Sequence, residues 1–223
     1  MRPENPLDPD CIRDGAAHPP IGHKVLVFRE TGSTNDVVHR LAQASEPEGT
    51  VVFAESQSAG RGQFGREWDS RAGLGLWFSI LLRPQWPAHQ ITQITPMVAV
   101  SVADTVIASA GIAVVIKPPN DIYFEGRKLG GILTEARTGS NPYAVVGIGI
   151  NVNHSAADFP DSLAARATSL AQIVGWAIDR EVLAAQLLSN LGSIYSSTAA
   201  PSPEVLNRYE NLSQRWGCAT FLP

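Results

Sequence analysis

Residues 50–82 read TVVFAESQSAGRGQFGREWDSRAGLGLWFSILL, and the way the middle of this stretch folds decides between two architectures. The apolar runs Thr50 to Ala54 and Leu74 to Leu82 flank it, each with the length and composition of a strand. Between them Gly60, Gly62 and Gly65 satisfy G-x-G-x-x-G. A dinucleotide-binding unit requires a helix directly after the last glycine. REWDSRAGLG has no apolar period and carries Gly73 and Gly75, so no helix is predicted there. A P-loop fails too, because Arg66 and Glu67 stand where Lys and Ser/Thr are needed. What remains is strand, glycine loop, strand. Bare backbone beside the donor forks of Arg61 and Arg66 suits an anion. A solvated hairpin loop with incidental arginines is the alternative.

Outward from this stretch, strands follow one another with hairpin-type turns and single helices between them. Lys24 to Arg29 reads as a strand, and Ser33 or Thr34 caps a helix from about Asn35 to Ala44 with Val37, Val38 and Leu41 as its stripe. Pro96 opens a helix that ends near Gly111. Strands are predicted at Ala113 to Lys117, Ile122 to Phe124, Leu129 to Ala136 (after a turn at EGRK) and Tyr143 to Val152. Helices at Glu181 to Ser196 and Pro203 to Trp216 close the chain. This is an α+β pattern with a mixed, largely antiparallel sheet and flanking helices. Residues 1–22 read as an irregular leader and 23–217 as one domain.

The bulk properties exclude several classes. A chain of 223 residues with 44% apolar and 17% charged content is ordinary globular material. A net charge of −4 gives no basic field for nucleic acid. Cys11 and Cys218 form neither a metal spacing nor a disulfide framework. Residues 1–20 lack a signal-peptide apolar region, and no run reads as a membrane span. The expectation is a cytoplasmic protein without a nucleic-acid or membrane partner.

Two further constellations carry chemistry. Lys117-Pro118-Pro119-Asn120-Asp121 ends an apolar strand. The prolines restrict the turn, so Lys117 is either a positioned cation or a strand-end lysine reaching water. Asn120 and Asp121 are turn formers or its supporters. In KLGGILTEA, Gly130 and Gly131 mark a bulge or a close ligand approach. Thr31-Gly32-Ser33-Thr34-Asn35 stands at a helix start, where hydroxyls cap the helix or meet a polar ligand.

In this order, S-T-N, E-S-Q-S-A-G-R-G-x-x-G-R-x-W, K-x-P-N-D, K-L-G-G-I-L-x-E and G-I-G-I-N-V-N resemble the catalytic domain of biotin protein ligases over about Lys24 to Tyr209. The resemblance implies a biotin/lipoate ligase fold akin to class II aminoacyl-tRNA synthetases. It implies ATP and biotin as substrates, Mg²⁺ brought with ATP, and biotinyl-5′-AMP as intermediate. The acceptor is then a lysine of a biotin carboxyl carrier protein or domain, of acetyl-CoA carboxylase or another biotin-dependent carboxylase. No covalent enzyme intermediate is implied, in keeping with the lack of a G-x-S-x-G elbow.

By the same resemblance Ser33, Thr34 and Asn35 serve the ureido ring and Gln57 lies near the ligand head. Arg61, Gly62 and Gln63 belong to a loop closing over biotin and the adenylate, and Trp68 packs toward the adenine. Gly130 and Gly131 approach the ligand. Lys117 bridges the carboxylate and the α-phosphate, with Arg61 as second catalytic group. Arg66, Asn120, Asp121 and Asn151 support the nucleotide and its Mg²⁺, Asp121 through the metal that ATP brings, and no protein motif holds a metal.

Gln63 stands where many relatives have arginine, and Pro118 where they have tryptophan. No helix-turn-helix precedes Lys24, and the chain ends at RWGCATFLP, where relatives continue into a small β-barrel. A monofunctional ligase without that barrel is the expectation, with a homodimer left open. The rivals are a lipoate or octanoate attachment enzyme of related fold, and a biotin-binding protein with weak turnover.

Overall fold

Alternation along the two central strands assigns the faces of the sheet. A computed structural model describes residues 6–17 and 20–219. In β3 (Gly75–Leu82) and β7 (Tyr143–Asn151), Leu76, Phe78, Ile80 and Leu82 join Ala144, Val146, Ile148 and Ile150 in one large core. The intervening positions face the other way, as a pleated strand requires. There Leu81, Tyr143 and Val145 pack a small second cluster, and the rest are Gly75, Trp77, Ser79, Gly147, Gly149 and Asn151. One face of the sheet is built to pack and the other to leave room.

The remaining strands are β1 (Lys24–Thr31), β2 (Thr50–Gln57), β4 (Val115–Lys117), β5 (Asp121–Phe124) and β6 (Arg127–Arg137). The seven-stranded order is β1-β2-β3-β7-β6-β5-β4. Only the β1–β2 pair is parallel; every other pair is antiparallel. The mixed, largely antiparallel sheet read from the sequence is the one observed. At the β5–β6 turn Glu125 and Gly126 both take positive φ, 44° and 75°, the twist that suits a two-residue hairpin.

Behind the packed face lie α3 (Ile94–Ala110), α6 (Arg180–Ile194) and α7 (Pro203–Ala219). Met97, Val98, Val102 and Val106 of α3 meet Leu183, Leu187 and Leu191 of α6 there. Pro96 falls within the first turn of α3, where a missing N–H leaves no bond unmade, and Gly111 ends the helix at φ 67°. Ala88–Ala110 is long and apolar enough to cross a membrane by length and composition, a run the sequence reading passed over. Its apolar side chains instead fill the middle of this core. On the open face α2 (Thr34–Gln43) covers one end with Val37, Val38 and Ala42.

The irregular leader is a correction. Pro9–Gly15 forms α1, with Pro9 at its start and Asp8 accepting from the Asp10 N–H. Leu7 and Ile12 are buried in the main core. A seven-residue helix with two anchoring side chains is too short for apolar periodicity to reveal it. Residues 1–5, 18 and 19 of that leader lie outside the described residues, as do 220–223 at the other end. Short helices α4 (Asp161–Ala164) and α5 (Leu170–Val174) line the connection from β7 to α6.

Candidate active site

On the open face one cavity of about 570 Å³ runs from the N-terminus of α2 to the end of β4. Its floor is neutral and polar. Ser33, Thr34 and Asn35 are buried, and Ser33 holds the N-cap position without a side-chain capping bond. Gln57 Oε1 instead accepts the Thr34 N–H at 2.8 Å, while Gln57 Nε2 donates to Ser70 Oγ at 2.9 Å. The missing side chain of Gly147 makes the space: a Cβ there would lie 2.3 Å from Asn35 Oδ1.

The glycine loop folds back as a small hairpin over this floor. Trp68 N–H donates to Gly60 O at 2.9 Å and Gly62 N–H to Arg66 O at 2.7 Å, with Arg61 and Glu67 bridged between. The element after Gly65 is the strand β3 and not a helix, which disposes of the dinucleotide fingerprint. At the tip of the hairpin Phe64 has φ 59° and is 90% exposed, a left-handed residue whose ring centre lies 6.0 Å from the Arg66 guanidinium. Arg61 grips Asp36 of α2 through two bonds, 2.8 and 2.6 Å. The hydrogen bond from Arg61 holds the Asp36 carboxyl below the usual carboxylate range against the opposing effect of burial, and Asp36 raises the guanidinium in return.

Trp68 is the wall of the cavity. Its indole lies across the faces of Gly131 and Gly149, where a Cβ would come within 3.1 and 2.6 Å of the ring. It meets Trp77 edge-on at 6.2 Å, and the row continues through His154 to Phe159. The indole Nε1 is buried with no hydrogen-bond partner among the described residues. Of the glycine pair in β6 only Gly131 lines the cavity; a Cβ on Gly130 would point at Ile122 and Ile150 on the packed side.

At the far end the lining turns cationic, with Lys117, Lys128, Arg66 and Arg166. The Lys117 ammonium stands 5.4 Å from the ring centres of both Tyr123 and Trp216, an aromatic cradle that holds a cation without neutralising it. Asp121, its register partner across β4–β5, is paired at 2.6 Å with Lys128. Asn120 Nδ2 donates to Ile132 O at 2.7 Å and ties the turn to β6. Asn151 Nδ2 donates to Thr168 O at 3.0 Å, and both asparagines also line the cavity. Their amides brace the walls.

The cavity therefore gathers Ser33, Thr34, Asn35, Gln57, Arg61, Gly62, Gln63, Arg66, Trp68, Lys117, Asn120, Asp121, Gly131 and Asn151, and leaves Gly130 outside. Sequence reasoning missed Lys128, Tyr123 and Arg166, which line the cavity, and Asp36, which holds Arg61. Lys128 escaped because three-residue spacing from Gly131 puts the two on opposite faces of a regular strand. Here Ile122 pairs with Gly130 but Tyr123 with Lys128, so one extra residue bulges. Leu129 and Gly130 both turn to the packed side, and Lys128 and Gly131 to the cavity.

A hydrogen-bonding floor joined to a cation-lined end defines a site for a small molecule that is polar at one end and anionic at the other. The family model described as the biotin/lipoate A/B protein ligase family matches residues 27–153. A bifunctional ligase/repressor of Bacillus spizizenii is 43% identical over 171 residues, 76% of this chain and 53% of its own. A biotin–[acetyl-CoA-carboxylase] ligase of Mycobacterium tuberculosis is 34% identical over 197 residues, 86% and 71% of the two chains. The solved biotin protein ligase of Aquifex aeolicus in complex with biotin and ATP is 31% identical, with TM-score 0.67 over 85% of this chain and 73% of that one. This chain belongs to the biotin/lipoate A/B protein ligase family, and it spans about half the length of the first curated relatives it matches.

Proposed function

We propose that the protein is an ATP-dependent biotin–protein ligase. It activates biotin as biotinyl-5′-AMP and passes the biotinyl group to a lysine of a biotin carboxyl carrier domain. The observation that carries this reading is one continuous cavity with Ser33, Thr34, Asn35 and Gln57 at one end and Lys117 at the other. In the first step a biotin carboxylate oxygen bonds to the α-phosphorus of ATP and the bond to pyrophosphate breaks. Two anions must meet, and their repulsion is large away from water. Lys117, held by aromatic faces that leave its charge uncancelled, offsets it and gains as charge builds on the phosphate. Arg66 of the hairpin supplies further positive charge at the reacting end, and Arg61, paired with Asp36, adds its charge when that pair opens onto the ligand. In the second step the carrier amine attacks the acyl carbon, AMP leaves, and the amine proton goes to solvent.

Mg²⁺ belongs to the ATP phosphates in this scheme. Among the described residues no group of three His, Cys, Asp or Glu forms a metal cage, and Asp121 is already paired with Lys128. Asn120, Asp121 and Asn151 support the nucleotide end by fixing its walls. The acceptor is the carrier domain of acetyl-CoA carboxylase or another biotin-dependent carboxylase, in the cytoplasm.

Lipoate is the rival substrate, since the matched family spans both ligases. The hydrogen-bonding floor favours biotin, whose ring offers donors and an acceptor that a dithiolane lacks. A ligand that binds only the folded state raises the melting temperature by mass action. Biotin with ATP is expected to raise it here, and lipoate with ATP to leave it unchanged. The reverse result rejects the assignment in favour of a lipoate ligase.

A further inference from the structure

The motif K-L-G-G-I-L-x-E ends on Glu135, a residue given no role above. It stands on β6, and its carboxylate gathers the side chains around the cavity floor. Asn35 Nδ2 donates to Glu135 Oε2 at 2.6 Å. His39 Nε2 lies 3.3 Å from the same oxygen and Arg61 Nη2 3.8 Å. From Asn35 the bonds continue inward: Ser79 Oγ donates to Asn35 Oδ1, and Ser79 Oγ lies 2.7 Å from Thr34 Oγ1.

The proton order along this chain is forced from one end. A carboxylate only accepts, so the amide group of Asn35 must turn its nitrogen to Glu135 and its oxygen to Ser79. An amide oxygen also only accepts, so the single Ser79 proton goes to Asn35. The 2.7 Å contact to Thr34 then holds only if Thr34 gives its proton to Ser79. The longer contact from Thr34 Oγ1 to Gln57 Oε1, 3.2 Å, is left without that proton. Thr34 lines the cavity with a hydroxyl that has nothing left to donate.

We propose that Glu135 is a positioning residue that sets the hydrogen-bond polarity of the head pocket. Through Asn35 and Ser79 it makes Thr34 an obligate acceptor, matched to a ligand that presents an N–H, as a cyclic urea does. The inference rests on the biotin reading above. It gives Glu135, which need not touch the ligand, a part in selecting it.

The test is calorimetric titration of biotin, and separately of ATP, into wild type, Glu135→Leu, Glu135→Gln, Ser79→Ala and the Ser79→Ala/Glu135→Leu double variant. Glu135→Leu is expected to weaken biotin about 10–100-fold, the scale of leaving buried polar groups mispaired, with ATP affinity unchanged. Glu135→Gln recovers most of the loss, because its carbonyl still accepts from Asn35. The double variant loses no more than the worse single one, since both changes break one chain. Should Glu135→Leu melt early, Ser79→Ala decides alone through the same split between biotin and ATP. A folded Glu135→Leu that binds biotin within about twofold of wild type overturns the inference while the biotin reading stands, and so do losses that add fully in the double variant. Wild type that binds no biotin overturns both.

Discussion

The two faces of the sheet use the same strands for opposite ends. Behind it, every second residue of β3 and β7 is an apolar side chain, all but Ala144 large, in the core shared with α3 and α6. In front, the alternate positions of β7 run Tyr143, Val145, Gly147, Gly149, Asn151, shrinking from side chains to none where Asn35 and Trp68 come in. The packed face supplies the stability that lets the open face hold polar groups away from water. Changes behind the sheet should therefore cost folding, and changes in front should cost ligand and chemistry.

Glu55 breaks the simplest form of that contrast, and it is the sharpest place to test it. It sits at the head of the E-S-Q-S-A-G-R-G motif, yet its carboxylate points behind the sheet to Arg180 of α6 at 2.8 Å. It also accepts from the Leu7 N–H at 2.6 Å and the Gly73 N–H at 3.2 Å. The pair is buried, so removing one partner strands the other. Glu55→Ala is expected to lose about 3–5 kcal/mol in denaturant unfolding. A loss of ligand binding with unchanged stability would move Glu55 to the site.

Lys117→Met is the complementary change. Adenylate formation should fall about 10²–10³-fold, the scale of one preorganised electrostatic contact, while unfolding shifts by less than about 0.5 kcal/mol. Lys117→Arg should rescue little, because a planar fork does not replace a point charge between the two rings. Single-turnover kinetics beside denaturant unfolding checks the split. Near-normal turnover by folded Lys117→Met would give the bridging role to Arg61 or Arg66.

The smallest effect expected is the pH response of the hairpin. The Asp36 carboxyl titrates below its unfolded value, so its pair with Arg61 stabilises above the ordinary carboxylate range. That contribution fades as pH falls through the lowered folded value. Both side chains are partly exposed, 36% and 48%, so the effect is at most about 1 kcal/mol. Amide protection in residues 59–71, corrected for the intrinsic exchange rate at each pH, should fall on acidification in the wild type and not in Asp36→Asn. Equal pH dependence in both would show that the pair does not hold the hairpin.

The strands were legible because their apolar runs are long and bounded by glycine and proline turns. The α2 and α3 boundaries came within a few residues for the same reason. What stayed hidden depended on contacts between distant residues. The α1 helix is secured by Leu7 and Ile12 against partners far along the chain. The bulge that brings Lys128 to the cavity exists only in the pairing of β5 with β6. Glu135 reaches Asn35 across 100 residues of sequence, and no local spacing announces it. Lys117 was readable as a cation at a strand end; its two aromatic supports were not, since Trp216 comes from the last helix.

The central claim is that biotin and ATP react with each other in the one cavity on the open face. Incubating the protein with biotin, ATP and Mg²⁺, with no carrier present, and measuring the products by mass spectrometry tests it most directly. The account predicts biotinyl-5′-AMP and pyrophosphate in equal amounts. Release of ADP and phosphate, or an adenylate formed from lipoate but not from biotin, would contradict it.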